Sequence, residues 1–255
     1  MLRIALVAVA LALPAQAQDQ APAREPEEVD LELVLLADAT GSIDDREIML
    51  QRQGYAEAMR DPEVLWAIRN GGSTGRIAVA YVEWASLGSQ HLVVDWMVVE
   101  DEASARLFGE RLMLPPRLAY GSNAIGAALL TGLALIDRNG YEGWRKVIDL
   151  SGDSAWNAMG PSIAEARDIV LGSGVVINGL AILCRDCSGR PQGGNLEQEY
   201  ATRLIGGPGA FVVTADGDRS FAQAVRRKLI LEISGLTPEQ PLRGPKRLAE
   251  RERQD

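Results

Sequence analysis

The sequence predicts an α/β fold in which helices cover both faces of a doubly wound, mostly parallel, six-stranded sheet. Three observations lead to this prediction. Apolar runs of strand character alternate with segments whose apolar residues recur at three- and four-residue steps. Residues 77–84 and 91–98 are strand-like runs joined by a short connection, so they form a hairpin and supply one antiparallel edge strand. Polar clusters follow three separate strands or loops, and strand order 3-2-1-4-5-6 would bring them together at its switch point.

The individual elements follow the apolar periodicity along the chain. The first strand includes residues 34–37 and ends in a polar turn. The next helix, 44–60, begins beside Ser42, which together with Asp45 resembles a weak capping box. The sequence then predicts a short turn at 63–69, strands at 147–150, 175–183 and 210–214, and helices at 101–113, 125–136, 161–171, 196–205 and 220–233.

The amino-terminal residues have the three parts of a secretory signal peptide: Arg3, an apolar run over 4–13, and the small residues around Ala17. We expect cleavage after Ala17 and therefore a chain exported to the periplasm or outside the cell. The apolar run is too short to cross a bilayer, and no later run is long enough, so no membrane span is expected. The predicted organisation is a signal peptide over 1–17, a disordered leader over 18–29, one domain over 30–235, and a charged, proline-containing tail over 236–255.

The chain is acidic, and its net charge restricts the classes of partner that it can bind. The formal net charge is -9 at neutral pH, and it becomes -10 if Arg3 leaves with the signal peptide. Binding to nucleic acid relies on clustered Lys and Arg that neutralise phosphates, so the composition argues against a nucleic-acid partner. With 47% hydrophobic residues, about 240 residues are enough for one sizeable core.

A short polar segment, Asp38-Ala39-Thr40-Gly41-Ser42, follows the first strand. Asp38, Thr40 and Ser42 offer one carboxylate and two hydroxyls, and oxygen ligands of this kind suit Mg²⁺, with Mn²⁺ and Ca²⁺ as alternatives. At the carboxyl end of a parallel strand these side chains would face the crevice in which open α/β sheets bind ligands. The structural alternative is that Ser42 caps the helix and Asp38 holds a turn.

This segment resembles the D-x-S-x-S signature of the metal-ion-dependent adhesion site in von Willebrand factor A domains, with Thr40 in place of the first serine. The resemblance implies two further ligands from later loops. In the second loop Ser122 stands where the family has threonine, and its alternative role is again a helix cap. In the third loop Asp153 matches the family's aspartate.

The resemblance covers residues 31–234, nearly all of the expected mature chain. Segments 147–153, 177–180 and 206–212 look like a bacterial family of secreted A-domain proteins of unknown function. The resemblance therefore implies a fold and a site but no biological role.

The function implied by the resemblance is a secreted, metal-ion-dependent protein-binding module of the adhesion type. The implied ligands of the ion are Asp38, Thr40, Ser42, Ser122 and Asp153. An acidic side chain of a protein partner would complete the coordination of the ion. Nearby helix N-termini would add positive potential and so favour an anionic ligand. Trp156 and Asn157, just beyond the third loop's aspartate, are candidates for contact with that partner.

Enzymatic alternatives fit the residues less well. A Mg²⁺-dependent hydrolase or phosphatase of the haloacid-dehalogenase type also places an aspartate at the end of its first strand, but it requires a second acid at position 40, where this chain has Thr40. The glycine-rich segment 70–75 lacks the lysine of a phosphate-binding loop. The segment around Ser154 lacks the last glycine of a nucleophile elbow, and His91 is the only histidine available as a base.

Two further features receive structural interpretations. Cys184 and Cys187 are expected to form a local disulfide in an oxidising compartment; a redox site or a zinc site fits less well, since zinc would need two more ligands. Asp149 lies inside an otherwise apolar strand, and we expect it to hydrogen-bond to neighbouring backbone rather than to contact the ion.

Overall fold

The computed structural model of the chain describes residues 25–183, 195–216 and 218–240. The predicted signal peptide, most of the predicted leader, most of the predicted tail, and both Cys184 and Cys187 lie outside the described residues. Within them, the chain forms six strands and seven α-helices. The strands are β1 (Glu27–Asp38), β2 (Ile77–Trp84), β3 (Gln90–Val99), β4 (Tyr141–Gly152), β5 (Val176–Leu183) and β6 (Val212–Asp216). The helices are α1 (Asp45–Met59), α2 (Pro62–Asn70), α3 (Glu102–Met113), α4 (Ile125–Arg138), α5 (Ile163–Gly172), α6 (Leu196–Glu199) and α7 (Asp218–Ser234).

The six strands form one sheet in the order β3-β2-β1-β4-β5-β6. The β2–β3 pair is antiparallel, and every other neighbouring pair is parallel. The predicted fold class, strand order and antiparallel edge strand are therefore confirmed. Because β1 lies between β2 and β4, the switch point of the sheet is at its carboxyl end, where Asp38 is located.

The alternation of side chains along β1 divides the core between the two faces of the sheet. Leu31, Leu33 and Leu35 pack on one face, in the cluster that includes residues of α1, α2, α3 and α7. Val34 and Leu36 pack on the other face, in the cluster that includes residues of α4 and α5. A central strand that is buried on both faces explains why residues 33–37 of β1 are all apolar.

The pairing of β1 with β4 extends further than the sequence indicated. Glu27 lies opposite Tyr141, and Val29 lies opposite Gly143, so β1 takes in residues 27–29 that we had placed in the leader. The same pairing lengthens β4 from the predicted 147–150 to Tyr141–Gly152. Most of the added residues are exposed or half-buried, and they become strand through the pairing of β1 with β4.

Two helices also differ from the prediction, one at its N-terminus and one along its length. The N-cap of α1 is Asp44, whose side chain accepts a hydrogen bond from the Glu47 backbone in a complete capping box, so the proposed box of Ser42 and Asp45 is wrong. The predicted helix at 196–205 is two elements: α6 is followed at once by a π-helical segment, Tyr200–Leu204.

Candidate metal centre

The first loop of the candidate site holds its aspartate through a tight turn. The backbone N–H of Thr40 donates to Asp38 Oδ1 at 2.8 Å, which is the hydrogen bond of an Asx turn. The side chain of Gln51, on α1, donates to the Asp38 carbonyl oxygen at 2.9 Å. The hydroxyls of Thr40 and Ser42 lie 3.1 Å apart. The sequence motif therefore forms a compact cluster of oxygens at the end of β1.

Helix capping does not account for the two serines. Asp44 caps α1, and α4 begins after Ala124 without any side-chain cap. The alternative that Ser42 and Ser122 serve as helix caps is therefore wrong. Ser122 is exposed at the surface, in the loop that leads into α4.

The second loop is attached to the first by backbone and side-chain hydrogen bonds. The N–H of Gly41 donates to the carbonyl oxygen of Gly121, the residue before Ser122, at 2.9 Å. Arg117 donates from one nitrogen to the Ala39 carbonyl oxygen at 2.8 Å and from another to the carboxylate of Asp45 at 2.9 Å. These bonds bring the loop that carries Ser122 against the loop that carries Asp38.

The third loop is attached to the second. The N–H of Ala158 donates to the Asn123 carbonyl oxygen at 2.7 Å, and the Asn157 side chain accepts from the Gly126 N–H at 3.1 Å. The amide nitrogen of Asn157 donates to the Met159 and Pro161 carbonyl oxygens. Asn157 therefore fastens the loop to the start of α4, whereas the neighbouring Trp156 is 66% exposed.

The two carboxyl groups of the site influence each other. Burial and then the charge of Asp153 raise the pKa of Asp38 from 3.8 to about 7, against hydrogen bonds from Thr40. Burial also raises the pKa of Asp153, and a hydrogen bond from the Ser42 side chain acts in the opposite direction. The charge of Asp153 thus acts on Asp38, and the Ser42 side chain is hydrogen-bonded to Asp153, so the structure brings these three residues together.

Two oxygens of this group, Asp38 Oδ2 and Asp153 Oδ1, are buried without a hydrogen-bond partner within the described ranges. Such orphaned carboxylate oxygens are costly unless something compensates them. A small divalent cation fits this donor set, since it would supply positive charge to both carboxylates and accept the nearby hydroxyls as ligands. No cluster of three or more His, Cys, Asp or Glu side chains suited to a metal occurs in the described part of the chain. The candidate site does not depend on such a cluster, because it consists of two carboxylates and three hydroxyls.

Asp149 has a partner that the sequence did not reveal. Its carboxylate lies 2.6 Å from the ammonium of Lys228 on α7, and Lys228 also pairs with Glu232 one turn further along. The expected hydrogen bond of Asp149 to neighbouring backbone is therefore wrong, because Asp149 forms a buried ion pair with Lys228. The signal in the sequence was the i, i+4 spacing of Lys228 and Glu232 on an otherwise apolar face of α7.

Several solved structures share this fold. The pilus adhesin SpaC from Lactobacillus rhamnosus GG, in an open conformation, aligns with a TM-score of 0.58 at 15% identity, over 84% of this chain and 31% of that chain. A von Willebrand factor type A protein from Catenulispora acidiphila aligns with a TM-score of 0.55 at 16% identity, over 80% of this chain and 43% of that one. Proximal thread matrix protein 1 from the mussel byssus aligns with a TM-score of 0.57 at 17% identity, over 82% and 47% of the two chains.

The chain spans less than half the length of each of these structures. At these identities the likeness establishes the von Willebrand factor A fold that the sequence motifs predicted. No curated protein is significantly similar in sequence to this chain. A family model described as "Protein of unknown function (DUF1194)" matches residues 28–237.

Proposed function

Since this chain belongs to the family described as "Protein of unknown function (DUF1194)" and has a von Willebrand factor A fold, we propose its function from the site itself. The proposed function is that of a metal-ion-dependent protein-binding module of the adhesion type. The proposed ion is Mg²⁺, with Mn²⁺ or Ca²⁺ as alternatives, and the proposed ligands are Asp38, Thr40, Ser42, Ser122 and Asp153.

The observation that supports the ion most strongly is the pair of orphaned carboxylate oxygens, Asp38 Oδ2 and Asp153 Oδ1. Neither carboxylate forms an ion pair with a basic side chain in the described part of the chain, although other buried acids of the domain do. The domain thus compensates its buried carboxylates with cationic side chains elsewhere and leaves these two uncompensated. A bound divalent cation would supply the missing charge.

The chemistry of a partner follows from the same donor set. Three of the five proposed ligands are neutral hydroxyls, so the ion retains positions and positive potential for another anionic oxygen. Helices α1 and α4 both begin beside the site, and their N-termini add to that potential. We therefore propose that an aspartate or glutamate of a protein partner completes the site.

The surface around the site would contribute apolar contacts to the same partner. Five large apolar side chains on the three surrounding loops are exposed: Leu87, Leu118, Tyr120, Trp156 and Met159. The loops are joined to one another, because the Ser86 hydroxyl donates to the Tyr120 carbonyl oxygen at 2.8 Å and Leu87 reaches within 3.0 Å of where a β-carbon on Gly160 would lie. Exposed aromatic and apolar side chains beside a polar centre are typical of protein interfaces.

The structural relatives are compatible with this proposal. One of them is a pilus adhesin, and the present chain aligns with 31% of its length. We propose an exported protein that acts in the periplasm or outside the cell. No helix in the described residues is long and apolar enough to cross a membrane.

Affinity capture tests the proposed function. The immobilised protein should capture a protein from an envelope extract of the source cells with Mg²⁺ but not with EDTA, and Asp38→Ala should capture none. Trp156→Ala should reduce capture, whereas the control Trp144→Ala should not, because Trp144 is similarly exposed (74%) but lies near the opposite end of β4. Capture that is unaffected by EDTA and by Asp38→Ala would contradict the proposal. Release of phosphate from p-nitrophenyl phosphate that requires Asp38 would instead favour the hydrolase alternative.

A further inference from the structure

Tyr200 occupies an unusual place beside the candidate metal centre. It is the first residue of the π-helical segment Tyr200–Leu204, and it is completely buried. Its ring lies against β5 at Gly179, where a β-carbon would be 2.6 Å from Tyr200 Cδ1. A glycine inside a strand often marks the close approach of another group, and here that group is the tyrosine ring.

A second glycine makes room for the hydroxyl of the same tyrosine. A β-carbon on Gly152, the last residue of β4, would lie 3.0 Å from the Tyr200 hydroxyl oxygen and 2.8 Å from Asp38 Oδ2. The hydroxyl and the orphaned carboxylate oxygen therefore both lie within 3.0 Å of one point. A side chain at residue 152 would crowd both of them.

The hydroxyl of Tyr200 forms no short hydrogen bond in the described residues. Its hydrogen bond to the Ser154 carbonyl oxygen is 3.5 Å long, beyond the usual range for an O–H donor. Asp38 Oδ1 already accepts from the Thr40 N–H, whereas Oδ2 has no partner in the described ranges. The Tyr200 hydroxyl and Asp38 Oδ2 thus form a donor and an acceptor on the same gap. The position of Tyr200 in a π-helical segment supports a functional role, because such segments frequently occur at functional sites.

We propose that Tyr200 is a positioning residue of the metal centre: its hydroxyl donates to Asp38 Oδ2, directly or through one water, and fixes the orientation of the carboxylate that binds the ion. This inference rests on the proposed metal site. Partners that orient metal-binding side chains typically account for a 10- to 100-fold change in metal affinity when they are removed. The two glycines and the π-helical segment are the features of the chain that place this hydroxyl.

Calorimetric titration with Mg²⁺ tests the inference on the wild type, Tyr200→Phe and Tyr81→Phe. Tyr200→Phe removes only the hydroxyl and should weaken Mg²⁺ binding by roughly 10- to 100-fold. Tyr81→Phe is the matched control, because Tyr81 is equally buried and its hydroxyl has no hydrogen-bond partner in the described part of the chain. The control should bind Mg²⁺ as the wild type does.

Thermal unfolding with and without Mg²⁺ separates a positioning role from a role in folding. If Tyr200 positions Asp38, the rise in Tm caused by Mg²⁺ should be smaller in Tyr200→Phe than in Tyr81→Phe. This holds even if the two variants differ in Tm without metal. Should Tyr200→Phe fail to fold, Gly179→Ala, which keeps the hydroxyl but displaces the Tyr200 ring, should weaken Mg²⁺ binding. Wild-type affinity in a folded Tyr200→Phe protein, or in Gly179→Ala where that variant decides, would overturn the inference and leave the metal site intact. The absence of Mg²⁺ binding by the wild type would overturn both.

Discussion

At the scale of single residues, Asp30 shows how a glycine-rich segment is used inside the fold. Its carboxylate accepts hydrogen bonds from the backbone N–H groups of Ser73, Thr74 and Gly75 at 2.7–2.8 Å. A β-carbon on Gly72 would lie 2.2 Å from the Asp30 carboxyl carbon, so the loop requires glycine there. The segment that lacks the lysine of a phosphate-binding loop thus binds a carboxylate of its own chain.

Removing this carboxylate should destabilise the domain. Asp30→Ala leaves three backbone N–H groups without their charged acceptor, and we expect a loss of about 2–4 kcal/mol in the free energy of unfolding. Urea denaturation measures it. The control Asp168→Ala removes an exposed acid and should change the stability by less than about 0.5 kcal/mol. A loss in Asp30→Ala no larger than in the control would contradict this role.

The pH dependence of the same residue has a definite sign. Burial acts to raise the pKa of Asp30, but the hydrogen bonds from Thr74, Gly75 and Ser73 outweigh it and hold the pKa below 3.8. A carboxyl with a lowered folded pKa stabilises the protein above its unfolded pKa and loses that contribution as the pH falls through the folded value. The difference in stability between wild type and Asp30→Ala should therefore shrink below about pH 4.

At the scale of elements, α7 is held to the centre of the sheet by buried charges. Lys228 pairs with Asp149 on β4 and with Glu232 on its own helix, and Asn178 on β5 donates to Glu232 at 3.0 Å. Burial and then the charge of Asp149 raise the pKa of Glu232 to about 7. Removal of one partner of such a buried ion pair is strongly destabilising, because it leaves uncompensated buried charge.

Lys228→Met should therefore be strongly destabilising. It leaves Asp149 and Glu232 buried without a cation, for an expected loss of about 3–5 kcal/mol near neutral pH. Burial raises the pKa of Asp149 and of Glu232, and in the wild type the charge of Lys228 acts in the opposite direction and lowers both. Without that charge both carboxyls bind protons more tightly in the folded state than they do in the wild type, so the stability of the variant falls more steeply as the pH rises from 4.5 past 7. Denaturation at pH 5 and pH 8 should show the larger deficit at pH 8.

The control on the same helix is Arg226→Met. Arg226 pairs with Asp61 and Glu63 but is 40% exposed, so its replacement should cost less than about 1 kcal/mol. A Lys228→Met deficit as small as that of the control, or one that is larger at pH 5, would contradict the account of the buried cluster.

At the scale of the whole molecule, the sequence predicted what depends on local pattern. The alternation of strands and helices, the hairpin of β2 and β3, and the motif at Asp38 are all readable from neighbouring residues. The unpredicted features depend on partners distant in the chain. The first residues of β4 become strand only by pairing with β1, and Asp149 finds its cation in α7.

The candidate site shows the same division. Asp38, Ser122 and Asp153 follow from their motifs, because each loop has its own local signature. Tyr200 has no such signature: its hydroxyl lies near Asp38 Oδ2 in the space that Gly179 and Gly152, on two strands, leave open. Such a placement depends on packing between segments, which periodicity does not encode.

If oxygens from three loops form one cation site, calorimetric titration with Mg²⁺ should reveal it. We expect the wild type to bind one Mg²⁺ per chain, Asp38→Ala and Asp153→Asn to abolish this binding, and Ser122→Ala to weaken it. The control Asp168→Asn, which alters an exposed acid on α5, should bind Mg²⁺ as the wild type does. A wild type that binds no Mg²⁺, or binding that persists unchanged in Asp38→Ala and Asp153→Asn, would exclude such a site.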